Sequence, residues 1–324
     1  MSNRLVYYNG KYVEEKNANI SIYDSALMFG DMVFEMTRSF NQKQFKLREH
    51  LQRLYTGINI LEIPISITLE EMYKKCLETV EVNKKFFNED DEHRLMINVS
   101  RGPLSIYAPI FDGKIESTVI IADFPLKYTV ASVAKFFDKG INLVIPSQRA
   151  IPAHLMDPKI KNRSRMWYQI ANLEVSKYEG NNNWALLIDT DGFIAEGTGD
   201  NFFMIKDNKL FTPEPRNILR GITRNYIFEL SRQLNLDCIE KNIEPYDIYE
   251  ADEAFVCATP FCILPVHSLN GKLIQNSKNN SITDLLIKTW SKNVGVDIIS
   301  QIKKYSREID TNYNSPTPYQ FHKK

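Results

Sequence analysis

The sequence is poor in the features that would mark a secreted, membrane-spanning or nucleic-acid-binding chain. Four cysteines in 324 residues (Cys76, Cys238, Cys257, Cys262) show no C-x-x-C spacing. Neither a disulfide framework nor a zinc site is expected, and the thiols read as reduced. No run of eighteen apolar residues occurs, which excludes a hydrophobic membrane helix. The first residues, Met1-Ser-Asn-Arg-Leu-Val-Tyr-Tyr8, lack the apolar centre of a signal peptide, so a cytoplasmic location is expected. Lys+Arg and Asp+Glu both number 40 and cancel, which leaves no general basic face for nucleic acid. The five histidines (His50, His93, His154, His267, His322) have no ligand-like spacing, and no metal is expected. Repeats and low-complexity tracts are absent.

What is present suits a globular α+β protein. The length exceeds one compact core and predicts two domains. Leu5–Tyr8 and Tyr12-Val13 flank Asn9-Gly10, a hairpin signal. Ser39-Phe40 and Phe45–Leu47 flank a second turn. Leu51, Leu54, Ile58 and Leu61 mark one face of a helix starting near 48, and Met72, Cys76 and Val80 mark another over about 69–87. Strands near 94–100 and 117–123 complete a small domain, 1–124. Residues 125–137 read as a connector. A larger domain, 138–306, follows, with helices near 163–178, 222–235 and 281–304. The polar stretch 307–324, with Pro316 and Pro318, reads as a tail.

Chemistry concentrates between 184 and 224. Trp184–Ile188 is an apolar strand ended by the turn cluster Asp189-Thr-Asp-Gly192. Phe202–Ile205 turns at Asp207-Asn208 into Leu210-Phe211, a hairpin. Glu196 lies between these strands, beside Gly197 and Gly199. It is either a loop carboxylate or one aimed into a site, where it could hold a protonated ring nitrogen. Gly221-Ile222-Thr223 heads the periodic run Ile222, Tyr226, Ile227, Leu230, Leu234, which predicts a helix from 222. A helix start presents unpaired N–H groups and a positive dipole end to an anion such as phosphate. Gly221 lets the backbone approach closely, and Thr223 adds a hydroxyl.

Glu196, Thr198, Asn201, Phe202, Phe203, Leu210, Thr212, Leu219, Gly221, Ile222 and Arg224 together resemble the signature of the fold-type IV pyridoxal-phosphate enzymes. These are the class IV aminotransferases, with branched-chain and D-amino acid aminotransferases, aminodeoxychorismate lyases and R-selective amine transaminases. The resemblance is strong over about 30 residues and extends weakly from Tyr8 to Gly271. It implies a two-domain α+β fold, with a small N-terminal α/β domain and a larger C-terminal domain built on a mixed, barrel-like sheet. It implies pyridoxal 5′-phosphate as cofactor, a small-molecule amino donor, a 2-oxo acid acceptor, and a homodimer or higher homo-oligomer.

The resemblance also assigns residues. Lys161, in Lys159-Ile-Lys161-Asn-Arg-Ser164-Arg165, matches the lysine that joins the cofactor covalently and then serves as base, with Lys159 as its rival. Glu196 matches the partner of the pyridine nitrogen. Arg53, Gly199, Gly221, Ile222, Thr223 and Thr259 are the expected phosphate and cofactor contacts, together with Arg165, which stands where relatives carry Tyr, Leu or Arg. Taken alone, the spacing favours Arg53 as an exposed helix residue, and Thr259 reads as a strand-end hydroxyl. Phe29, Phe34, Arg38, Tyr107 and Pro260 are substrate-side candidates, Arg38 being either a pocket residue or a structural ion-pair partner. Ile97 occupies the position where bacterial branched-chain enzymes carry arginine, and the Arg-x-His of D-amino acid enzymes is missing after Gly102. The expectation is therefore amino transfer from a hydrophobic amino acid or an amine. Lyase chemistry and R-selective amine transamination are the alternatives, and a non-catalytic relative is the remotest.

Overall fold

The computed structural model describes residues 4–180, 182–274 and 281–309. The chain forms two compact units, Met1–Leu126 with Ile160–Arg165, and Lys127–Lys159 with Met166–Lys324.

The first unit carries strands β1 (Leu5–Tyr8) and β2 (Lys11–Glu14), helix α1 (Ser25–Phe29), β3 (Met32–Met36), β4 (Ser39–Phe40) and β5 (Lys43–Gln44). Helices α2 (Leu47–Ile60) and α3 (Leu69–Asn83) follow, then β6 (His93–Ser100) and β7 (Thr118–Pro125). Asn9 and Gly10 have φ of 43° and 85°, the left-handed pair a two-residue hairpin needs. The sheet order is β2-β1-β7-β6-β3. Strand alternation sends Val33, Leu95, Ile97 and Val99 into a core with Leu51, Leu54 and Ile58 of α2 and Met72 and Cys76 of α3. Phe34, Met36, Met96 and Asn98 therefore face the other way. Helix α3 starts at a Thr68–Glu71 capping box. It ends at Asn83, before a 3-10 turn over Lys84–Phe86. The second turn also differs from expectation: its return strand is β5, and Leu47 already begins α2.

The segment 160–165 is extended, where the sequence suggested a helix from 163. Val33 and Asn162 form a β-bridge. The Phe34 N–H donates to the Lys161 carbonyl and the Arg163 N–H to that of Met32, both at 2.9 Å. Pairing to β3 thus decides the conformation of a segment with no apolar period of its own.

In the second unit, α4 (Lys127–Val130), α5 (Phe136–Lys139), β8 (Ile141–Val144), α6 (Met166–Val175) and β9 (Asn183–Ile188) lead into β10 (Ile194–Gly197), β11 (Asn201–Lys206), β12 (Lys209–Pro213) and α7 (Ile222–Gln233). Then come β13 (Cys238–Lys241), α8 (Pro245–Tyr249), β14 (Glu253–Ala258), β15 (Cys262–Leu269), β16 (Lys272–Leu273), α9 (Ile282–Val294) and α10 (Ile298–Glu308). Strands β10-β9-β8-β15-β14-β11 run in sequence, and β11 pairs back onto β10, closing a six-stranded ring. Pairs β8–β9 and β8–β15 are parallel and the others in the ring antiparallel. The expected helix over 281–304 is two helices, because Gly295 takes φ 68° and caps α9. Part of the expected connector is helical, in α4 and α5. Of the expected tail, 310–324 lies outside the described residues. No helix among the described residues is long and apolar enough to cross a membrane.

Candidate active site

In the second unit Glu196 sits on β10, opposite Asn201 of β11, and is 5% exposed. Its Oε1 accepts the Tyr168 hydroxyl at 2.9 Å. Its Oε2 accepts Asn201 Nδ2 and the Leu219 N–H, each at 3.0 Å. The carboxylate belongs to a strand and is held from three sides, so its direction is fixed. Asn201 Nδ2 also donates to the Leu219 carbonyl at 3.0 Å. A Cβ on Gly221 would collide with Asn201 Oδ1. Asn201 therefore ties the carboxylate to the start of α7, and Gly221 is the residue that fits over it.

Helix α7 has Gly221 as N-cap with no side-chain cap. Its first backbone bond runs from the Asn225 N–H to the Gly221 carbonyl, so the N–H groups of Ile222, Thr223 and Arg224 lie outside the ladder and suit an anion. The Arg224 side chain turns away to the Pro213 carbonyl and Glu240, at 2.9 and 2.7 Å. Thr259 and Pro260 occupy the half-buried β14–β15 connection, which closes with Cys262 at φ 67°. Gly199 is exposed, with open space about it. Asp200, absent from the expected set, tucks against Gly197. Its Oδ1 is buried with no partner among the described residues, and burial with the neighbouring Glu196 pushes its carboxyl up to about 8.

In the first unit, β3 and the segment 160–165 set out the second group. Antiparallel pairing places Lys161 beside Phe34 and Arg163 beside Met32, on the face opposite the core. Lys161 Nζ lies 4.9 Å from the Phe34 ring centroid, and the guanidinium carbons of Arg163 and Arg165 lie 3.6 and 5.0 Å from it. Lys159, the rival, is ion-paired to Asp157 at 2.7 Å and donates to the Arg216 carbonyl at 3.0 Å. Arg53 is not an exposed helix residue. It is 13% exposed and grips Glu35 through Nε and Nη2 at 2.6 and 2.8 Å. Burial would raise the Glu35 carboxyl, but Arg53 and then His50 hold it well below the usual carboxylate range. Burial pushes His50 below its ordinary value, and its Nδ1 bonds the Glu35 carboxylate at 2.8 Å.

The substrate-side candidates disperse. Phe34 is buried at the centre of the cation group, whereas Phe29 is 67% exposed at the end of α1. Arg38 is buried against Phe40, 3.8 Å from its centroid. Tyr107 packs on Tyr23 at 4.6 Å. Ile97 lies in the core, so the residues of β6 that face away from it are Arg94, Met96, Asn98 and Ser100. The sequence reading missed Tyr168, Asp200 and Arg163. Arg163 had a signal, since it shares the period of two with Lys161 and Arg165 in an extended segment.

Residues 32–269 match the amino-transferase class IV family. The chain belongs to that family. It is 34% identical to the putative branched-chain-amino-acid aminotransferase of Methanocaldococcus jannaschii, over 87% of this chain and 93% of that protein. Its fold is similar to that of the branched-chain aminotransferase from Thermoproteus uzoniensis solved with norvaline, at TM-score 0.76 and 24% identity, covering 94% of this chain and 97% of that one. It is also similar to the branched-chain amino acid aminotransferase of T.th. solved with pyridoxamine 5′-phosphate, at TM-score 0.77 and 22% identity, covering 95% and 98%. The class IV chain described here is a pyridoxal-phosphate-dependent aminotransferase with the two-domain α+β fold of fold type IV. The second unit fits such a cofactor: a helix start without a side-chain cap, a glycine whose Cβ would collide with Asn201 Oδ1, and a carboxylate locked in direction.

Proposed function

We propose that this aminotransferase moves the amino group of a hydrophobic amino acid, of the branched-chain aliphatic class, to a 2-oxo acid, with Lys161 as the covalent and proton-transferring residue. When bound, pyridoxal phosphate supplies an electron sink for the bond broken at the donor's α-carbon. Glu196 would hold the proton of the pyridine nitrogen. The N–H groups of Ile222 and Thr223, the Thr223 hydroxyl and Thr259 would hold the phosphate. By the family resemblance Arg53 and Arg165 would be further cofactor contacts. Lys161 Nζ would hold the cofactor and would carry the proton lost from the donor's α-carbon.

The observation that carries the reading is the network from Tyr168 through Glu196 and Asn201 to Leu219, since it fixes the one carboxylate this chemistry requires. The aliphatic donor is supported by Phe34, Met36 and Met96 on the sheet face that carries Lys161 and by the names of the relatives. Single-turnover bleaching of the cofactor's visible band by leucine, glutamate, D-alanine and 1-phenylethylamine tests it. Leucine is expected to be fastest, and fastest bleaching by glutamate refutes the aliphatic assignment. A homodimer in the cytoplasm completes the proposal. Its support is five exposed apolar side chains, Ile22, Leu27, Phe29, Ile106 and Ile110, on two segments that the Asp24–Pro103 bridge joins, and four free thiols.

A further inference from the structure

Lys161 lies on a short segment that the first unit fastens at both ends, by two different means. At the front, Ile160 packs against the core that holds Val33 and α2. Gly57 of α2 gives the room there, since an added Cβ would stand 3.1 Å from Val33 Cγ1 and 3.6 Å from Ile160 Cγ2. At the back the fastening is a hydroxyl. Ser164 Oγ donates to the carbonyls of Phe29 and Gly30, at 3.0 and 3.3 Å, at the C-terminal end of α1. Gly30 has φ 68°, and a Cβ on it would collide with Ser164 Oγ and stand 3.2 Å from Ser164 Cα and N. Two backbones meet here at a distance that glycine allows. Helix α1 is in turn tied to the sheet by Asp24, which is fully buried. Asp24 accepts the Ala26 N–H at 2.9 Å and the hydroxyls of Ser100 on β6 and Thr118 on β7 at 2.7 and 2.6 Å. Between the two fastenings the segment meets β3 through the Phe34 and Arg163 N–H bonds and the Val33–Asn162 bridge. A pairing that short does not hold its register by itself.

The geometry points to Ser164 as the positioning residue for Lys161: its hydroxyl clasps the lysine's segment to the end of α1, and through Asp24 to the sheet. The inference rests on the reading that Lys161 carries the cofactor. A lysine that must serve both the cofactor and the donor's α-carbon tolerates little drift, because a displacement of about 1 Å can cost about 100-fold in rate. Without the clasp, the bond from the Arg163 N–H to the Met32 carbonyl becomes the last on its side of the bridge, where a short pairing frays first. Ser164 therefore acts on the reaction through the backbone of residues 161–163.

The test uses holoenzyme and the variants Ser164→Ala and Thr56→Ala. Thr56 is the control, an exposed residue whose hydroxyl bonds the Gln52 carbonyl within α2 at 2.9 Å. Rates are referred to bound cofactor, read from the visible band. Amide hydrogen exchange is followed by fragmentation mass spectrometry at single residues. Ser164→Ala is expected to speed exchange at Arg163 by about 3- to 10-fold and to leave Ile121, on the central strand β7, unchanged. Its kcat with leucine should fall by about 10- to 100-fold, with the half-saturation within about twofold of wild type. Thr56→Ala should match wild type in both measurements. A merely structural role would lower the thermal midpoint and the cofactor content but not the rate per bound cofactor. Wild-type kcat in Ser164→Ala overturns the inference. A fall in kcat without faster exchange at Arg163 also overturns it, because the backbone of the segment would then not be the route. If Ser164→Ala shows no visible band, exchange is read on the cofactor-free protein, and an unchanged rate at Arg163 overturns the inference. Borohydride labelling of the wild-type enzyme separates it from the underlying reading. A label on Lys161 leaves that reading standing whatever Ser164→Ala does, and a label on Lys159 removes both.

Discussion

Replacing Gly221 by alanine probes the joint between the carboxylate and the phosphate end of the second unit. The new Cβ would collide with Asn201 Oδ1 and lie 3.3 Å from Arg224 Cβ. The glycine's φ of −64° is ordinary, so the effect is steric and backbone strain plays no part. Asn201 cannot swing away freely. It is 4% exposed, and its Nδ2 is bonded to Glu196 Oε2 and the Leu219 carbonyl, each at 3.0 Å. Displacing it loses two buried hydrogen bonds at about 1 kcal/mol each and leaves polar groups short of partners, about 2–4 kcal/mol in all. Cofactor affinity should fall with it, by about 10- to 100-fold if about 1.4–2.8 kcal/mol of that loss reaches the bound state. Gly199→Ala is the control, since nothing lies within 4 Å of the added methyl, and its effect should stay within about 0.5 kcal/mol. Urea unfolding and a pyridoxal-phosphate titration of both variants give the two quantities. Equal stability of the two variants would refute the steric argument.

Other outcomes follow from buried charge. Arg94 is 6% exposed, and its one polar contact among the described residues is the Met36 sulfur at 3.6 Å; Nε and Nη1 have no partner there, and burial, then Arg38, pulls its value down to about 9. Arg94→Met should therefore stabilise the chain by about 1–3 kcal/mol in urea unfolding, and destabilisation would show that the charge is compensated. Asp200 is raised in the fold to about 8 from an ordinary 3.8, so its favourable contribution is complete below about 4 and is lost as pH rises towards 8. Asp200→Asn should then shrink the drop in thermal midpoint between about pH 6 and pH 8.5, and an undiminished drop would assign it to other groups. Glu196→Gln should bind cofactor but turn over at least about 100-fold more slowly, because it cannot hold the ring proton; the fold tolerates it, since the Tyr168 hydroxyl can turn to accept from the new amide. Near-normal turnover would remove Glu196 from the ring.

Local signals in the sequence predicted the elements whose geometry is itself local. Asn9-Gly10 fixed a hairpin through left-handed dihedrals, and the period of Ile222, Tyr226, Ile227 and Leu230 marked α7 to within a residue of its start. Features that depend on distant chain were not legible. The segment 160–165 is extended because β3 accepts it as a neighbour, and Lys-Asn-Arg-Ser-Arg holds no apolar residue whose period could mark a strand. Strand β10 is short and glycine-flanked, so Glu196 could be placed near a site but not on a strand. The grip of Arg53 on Glu35 joins residues 18 apart, from a helix and a strand. The double helix over 282–308 was legible in principle, since Gly295 is a C-cap signal.

The most direct test of the account is the identity of the lysine that carries the cofactor. Holoenzyme reduced with borohydride, digested and analysed by peptide mass should show the phosphopyridoxyl mass on Lys161, whose Nζ lies beside Phe34. Lys159, engaged by Asp157 and the Arg216 carbonyl, should be unmodified. A phosphopyridoxyl mass on Lys159, with Lys161 unmodified, would contradict the central claim.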